Sequence, residues 1–247
     1  MPAPSRTGPR GLTSIQAREE NALRIHAHGG AHPTASRCHA STLTAIAIPL
    51  GWAAVALSVL ILLVFATIRL LDMTAAPPST DLFAVRYVQH PGVALLHILP
   101  GLVFLTLGPL QFVARIRRQR IGLHRLLGRV LVPCAAVSGV FALVASFRFP
   151  AFGGVSTQAA TLFFGPIFLF SLAKAFRHIR RKEISLHREW MIRVFALAMG
   201  VASIRVFIGL FQAIGGLGIE EVFGTTFWLG FGVNLVAAEV WINVTRR

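Results

Sequence analysis

An all-α, polytopic transmembrane bundle of about six spans is the fold this sequence predicts, on three observations. The 247-residue chain is 55% hydrophobic and only 13% charged, about half the roughly 25% charged residues of soluble domains. Six apolar runs are long enough to cross a hydrocarbon core of roughly 30 Å. Basic residues gather in the short segments flanking those runs. The net charge of +15 therefore reads as topology-setting charge, with the lipid bilayer and its anionic head groups as partners and no nucleic acid.

Residues 1–42 are rich in Ala, Arg, Gly, Pro and His without periodicity and read as a disordered basic cytoplasmic tail. Its histidines (His26, His28, His32, His39) could hold a metal ion loosely, imidazole being a common ligand, but in a segment without order they read as plain tail. The two cysteines, Cys38 and Cys134, show no metal-binding spacing.

Residues 43–247 form the membrane domain, with spans predicted at about 43–71, 91–114, 126–147, 157–176, 190–213 and 223–244. The first carries Pro49 in its opening turns, where a missing N–H does least harm. Asp72 to His90 reads as a loop. The second span opens at Pro91, a favoured first helical position. Its face of His97, Gly101, Phe104, Gly108 and Gln111 points into the bundle, because small residues permit close helix approach and His and Gln need partners away from lipid. The third span bears a small-residue stripe of Gly128, Ala135, Gly139 and Ala142. On the fifth, Ala198, Ala202, Arg205, Gly209 and Gln212 keep helical step and also face protein. The sixth carries Asn234 and Glu239.

Lysine and arginine set the orientation. Five lie in the tail, six between Arg115 and Arg129 and seven between Lys174 and Arg193, against Arg69, Arg86 and Arg148 on the other side. That bias puts both termini in the cytoplasm.

A loose hairpin repeat runs through the membrane domain. Gly122-Leu-His-Arg-Leu-Leu-Gly-Arg129 and Ser185-Leu-His-Arg-Glu-Trp-Met-Ile-Arg193 each follow a basic cluster and open an apolar helix. Gly108-Pro109 precedes the first His-Arg by 16 residues and Gly165-Pro166 the second by 22. His124, Arg125 and Arg129 thus sit at one helix start, and His187, Arg188 and Arg193 at another. Two such starts side by side make an anion site. His124 and His187 are expected close together, sharing one site with Arg129 and Arg193.

His97 and Arg205 are ionisable residues set well inside their spans. His97 is about six residues into its helix, roughly 9 Å from the surface at 1.5 Å per residue. It reads either as a buried imidazole bonded to a neighbouring helix or as an axial haem ligand. A haem would need a second imidazole or methionine opposite, and no histidine falls inside the third to sixth spans. Arg205 reads as half of an ion pair, with Glu220 and Glu221 as candidate partners, or as part of a polar site for an anionic or quinone-like ligand.

His97, Leu107-Gly-Pro-Leu-Gln-Phe112 and the two His-Arg motifs resemble a family of predicted bacterial membrane proteins catalogued as domain of unknown function 2306, over about residues 85–210. The resemblance implies a helical bundle in the bacterial inner membrane and brings no activity with it. Two function classes follow from the residues. One is a haem- or quinone-linked redox membrane protein; the other is a small transporter, or an anionic-ligand- or lipid-binding protein without catalysis.

Overall fold

The computed structural model describes residues 35–74, 82–149 and 152–246. Residues 1–34, which hold most of the predicted tail with His26, His28 and His32, lie outside the described residues, as does Pro77-Pro78. The chain divides into two compact units, Met1–Gly51 and Trp52–Arg247. Of the first, the described part is the opening of helix α1. The contacts below belong to the second.

Every described element is helical: α1 (Ala35–Thr74), α2 (Leu82–Gln89), α3 (Pro91–Leu107), a 3-10 turn (Gly108–Phe112), α4 (Ala114–Gln119), α5 (Ile121–Arg148), α6 (Gly154–Arg180), α7 (Ile184–Gly215) and α8 (Ile219–Thr245). Six stretches are long and apolar enough to span a bilayer: Ile48–Thr74, Pro91–Phe112, Ile121–Arg148, Gly154–Arg180, Ile184–Gly215 and Ile219–Thr245. The protein is a multi-pass helical membrane protein, as its apolar runs predict. Leu57, Val140, Phe170 and Val236 are among many large apolar residues on the outer faces. Lipid, not water, suits such a surface.

Helix ends depart from the sequence reading where charge interrupts the apolar pattern. Helices α5 and α7 begin at Ile121 and Ile184, upstream of the expected 126 and 190, because their mixed first turns look like loop to any hydrophobicity criterion. Helix α1 likewise starts at Ala35 instead of Leu43, and α2 occupies part of the predicted Asp72–His90 loop. The second span ends its α-helix at Leu107. Pro109 cannot continue the i→i−4 ladder, and the chain tightens into the 3-10 turn before Val113 extends it towards α4.

Helix α7 is the centre. Of its most apolar stretch 44% is buried, against 6% for α1, so α7 is walled by protein and α1 mostly by lipid. The largest interface joins α7 to α8, followed by α3 with α5 and α6 with α7. The main core packs Phe104, Leu131, Leu172, Val194 and Met199, with Leu62 of α1 reaching in. A smaller core of Phe152, Ile204, Ile208 and Phe223 lies towards the other end of α7.

Glycines set the close approaches. A Cβ on Gly108 would lie 2.9 Å from the Phe195 ring, and one on Gly165 2.6 Å from Leu143. Gly108 therefore faces protein as its stripe predicts. Gly209 does not: nothing lies within 4 Å of a Cβ built there, and the residue lines a cavity instead. Helical step alone cannot tell a protein-facing stripe from one that borders empty space.

Candidate functional site

His97 is held by α5. Its Nδ1–H donates to the Ser138 carbonyl oxygen at 3.0 Å, and Ser138 Oγ–H donates back to the His97 carbonyl at 2.8 Å. A carbonyl only accepts, so Nδ1 carries the proton and Nε2 is left to face another group. Gly101 makes this possible. It lies one turn from His97 on the same face of α3, and a Cβ there would come 2.7 Å from Ser138 Oγ.

A cavity of about 520 Å³ opens beside this pair, within the usual few hundred to a thousand Å³ of small-molecule sites. Apolar side chains form most of its wall, Phe104, Phe164 and Phe168 among them. Its polar side chains include His97, Arg205, Gln212 and Arg69, and among the described residues no aspartate or glutamate lines it, although Asp72 pairs with Arg69 at 2.9 Å. On α1 and α7 the order is the same: Leu62 and Leu197 lie deep, and Arg69, Arg205 and Gln212 lie towards the end at which α3 begins. Arg205 stands 5.5 Å above the Phe65 ring and Arg69 5.5 Å above Tyr87. The structure thus brings His97 and Arg205 to one cavity. Glu221, one of the expected partners of Arg205, accepts from the Gly218 N–H at 2.8 Å and caps α8.

The His-Arg motifs lie at the opposite end of the bundle, at the starts of α5 and α7. The charged neighbours acting on His124 are His187 first, then Arg117 and Arg125. Burial pushes the Arg117 guanidinium below its ordinary pKa, and the charges of Arg188 and Arg118 add to this. The two helix starts therefore lie within electrostatic reach of each other, but the motifs are not used alike. In the first, Arg125 and Arg129 are exposed, and Gln111 Nε2 donates to the His124 carbonyl at 3.4 Å. In the second, nearly every group is tied down. His187 Nδ1–H donates to the Ala175 carbonyl at 2.9 Å and Arg188 to Thr245 Oγ1 at 2.9 Å. Arg193 makes a two-pronged pair with Glu239, at 2.5 and 2.9 Å, and stacks 4.6 Å from the Trp190 ring. Glu189, buried, takes two bonds from Arg246, at 3.0 and 2.9 Å, which pushes the Arg246 pKa up.

The chain matches a family model described as a predicted membrane protein, domain of unknown function 2306, over residues 94–242. It belongs to that family. The matched region contains His97, Ser138, Arg205, both His-Arg motifs and Glu239, and leaves out α1 with its contribution to the cavity wall. No curated protein and no solved structure matches the chain.

Three features of this family member escape a linear reading. Ser138 lies 41 residues from His97, and Arg246 lies 57 from Glu189, distances at which sequence carries no pairing signal. The third is the turn between α6 and α7, where His178 Nδ1–H donates to the Glu183 carboxylate. That bond holds the Glu183 carboxyl below the usual carboxylate range. Only the acid after a helix of basic residues hints at it. Among the described residues no three His, Cys, Asp or Glu side chains gather as a metal site. Cysteines introduced at 124 and 187 are expected to cross-link through a dimaleimide, and a disulfide follows if their Cα atoms come within about 7 Å. Failure of the longer linker in folded protein would separate the two helix starts.

Proposed function

We propose that the protein binds an amphipathic, membrane-soluble ligand of quinone type in the His97–Arg205 cavity, as a redox-linked membrane protein. One observation carries the reading. The cavity is apolar for most of its wall, and among the described residues that line it the charged side chains are cationic: Arg205, and Arg69, which is itself paired with Asp72 at 2.9 Å. Such a lining suits a head group rich in hydrogen-bond acceptors, and the phenylalanines suit a flat ring and a prenyl tail. Saturable binding of a short-tailed benzoquinone to the full chain in lipid nanodiscs is the expected result. Gly209→Leu, which fills open space at the cavity wall, should weaken it at least tenfold. No saturable binding by a folded wild-type protein overturns the proposal.

Haem is the second reading. The Nδ1–H bond to Ser138 is the kind of support that orients a ligating imidazole, and Nε2 of His97 would be the ligand, with Arg205 and Arg69 beside it for the propionates. A Soret band shifting on dithionite reduction selects haem over quinone. The alternative of a carrier without catalysis keeps the same cavity and predicts binding with no redox change. The basic end would face the cytoplasm of a bacterial inner membrane, supported by the arginine and lysine count; exposed Arg125 and Arg129 would meet anionic head groups there.

A further inference from the structure

A second, smaller cavity of about 190 Å³ adjoins the first, and His97 and Arg205 line both. The two residues therefore stand at the junction. Beyond them, the small cavity runs along the end of α5 and the beginning of α6. Its wall there includes Ser146, Phe149, Thr157 and Gln158. Phe149 is the residue at which α5 stops, so this space reaches the end of the bundle opposite His124 and His187.

The chemistry of the two chambers differs. Thr157 Oγ1 is buried and has no hydrogen-bond partner among the described residues. Gln158 Nε2 donates to the Ser146 carbonyl at 3.0 Å, which leaves its amide oxygen to other donors. A buried hydroxyl without a partner costs roughly 1–3 kcal/mol, and ordered water is the usual remedy. Water enters a buried space only where it finds two to four polar partners and about 30 Å³ apiece. The small cavity provides both, with Thr157, Gln158, His97 and Arg205 as partners. The aromatic end of the large cavity offers few.

We propose that the small cavity is a water-filled vestibule that passes protons between His97 and the aqueous surface at the far end of the bundle. The imidazole suits the task, because Nδ1–H is committed to Ser138 and Nε2 can take up a proton or pass one on. Arg205 on α7, Tyr87 on α2 and Arg69 on α1 are the other ionisable groups lining these two spaces. All are cations or a phenol, and Arg69 is paired with the Asp72 carboxylate at 2.9 Å. On the reading of the large cavity as a ligand site, the occupant is a molecule whose head group gains or loses protons when bound, fed from one side only.

The test does not need that ligand. In full-length protein with Cys38→Ser and Cys134→Ala, reconstituted in liposomes, His97→Cys is treated with a membrane-impermeant, anionic thiosulfonate. Modification is expected. It should slow at least tenfold when Gln158→Phe closes the vestibule, and remain unchanged when Gly209→Leu fills the large cavity. Thr157→Cys, which leaves the His97–Ser138 bonds intact, should react from the same side even if His97→Cys folds poorly. The lipid-facing Val140→Cys should stay unreactive. Protection of Thr157→Cys, or blockade of His97→Cys by Gly209→Leu alone, would overturn the vestibule. Binding of the benzoquinone is scored separately, so a dry vestibule and an empty ligand cavity give different results.

Discussion

Replacing Gly230 by alanine is expected to destabilise the protein by about 1–3 kcal/mol, the range for overpacking a tight contact. At this size that is a fall of roughly 2–4 °C in Tm per kcal/mol. Gly230 faces Gly200 where α8 crosses α7. A Cβ on Gly230 would sit 2.5 Å from Ile204 Cγ1 and 2.9 Å from the Gly200 carbonyl oxygen. The isoleucine can turn aside, but a backbone oxygen in the most buried helix cannot. Alanine is otherwise the better helix former by roughly 1 kcal/mol, so the sign is decided by the clash. Gly209→Ala is the matched control. It has the same propensity gain and nothing within 4 Å to strike, so its melting temperature should hold or rise. Equal melting of the two variants in detergent would mean that the α7–α8 crossing is looser than its glycines imply.

The second large effect is expected at His97 and Arg205. Hydrogen bonds to charged groups contribute roughly 1.5–3 kcal/mol, so Arg205→Leu should weaken benzoquinone binding by about tenfold to a hundredfold. His97→Ala removes both a head-group contact and the tie to Ser138, and a comparable loss is expected. Ser138→Ala separates these roles. It removes the Oγ–H bond to the His97 carbonyl but keeps the Ser138 carbonyl that accepts from Nδ1, so binding should fall only a few-fold. Equilibrium binding in nanodiscs reads all three. Wild-type affinity in both His97→Ala and Arg205→Leu would remove the head group from this end of the cavity.

Much of this architecture is legible in the chain because a bilayer punishes unsatisfied backbone and exposed charge. Apolar length alone gives six spans, and basic flanks give their grouping. The in-facing side of α3 is legible too, since His97, Gly101 and Gly108 could not all point to lipid. Boundaries are less so. Ile121 to Arg125 and Ile184 to Glu189 are helical but alternate charge with apolar side chains, so their helicity shows only once α4, α6 and α8 pack around them. The candidate site was half visible. His97 and Arg205 stand out as ionisable residues inside apolar runs, yet nothing in the linear order says that they border one space. Arg188 and Arg193 look like ligand-binding arginines from the repeat, and the structure commits them to Thr245 and Glu239. Gly209 belongs by periodicity to a packing stripe, and only the three-dimensional arrangement opens it to the cavity.

The ties between the second His-Arg motif and the end of α8 also bear on how the chain is made. Glu189 is buried at the start of α7, and its partner Arg246 follows 57 residues later. Arg193 waits 46 residues for Glu239. A nascent α7 by itself has Glu189 and Arg193 four residues apart to offset each other, but it lacks the two-pronged partners that the end of α8 later supplies. Translation has to continue through most of α8 before either charge reaches its final partner. The two helices are therefore suited to leave the insertion machinery as a pair.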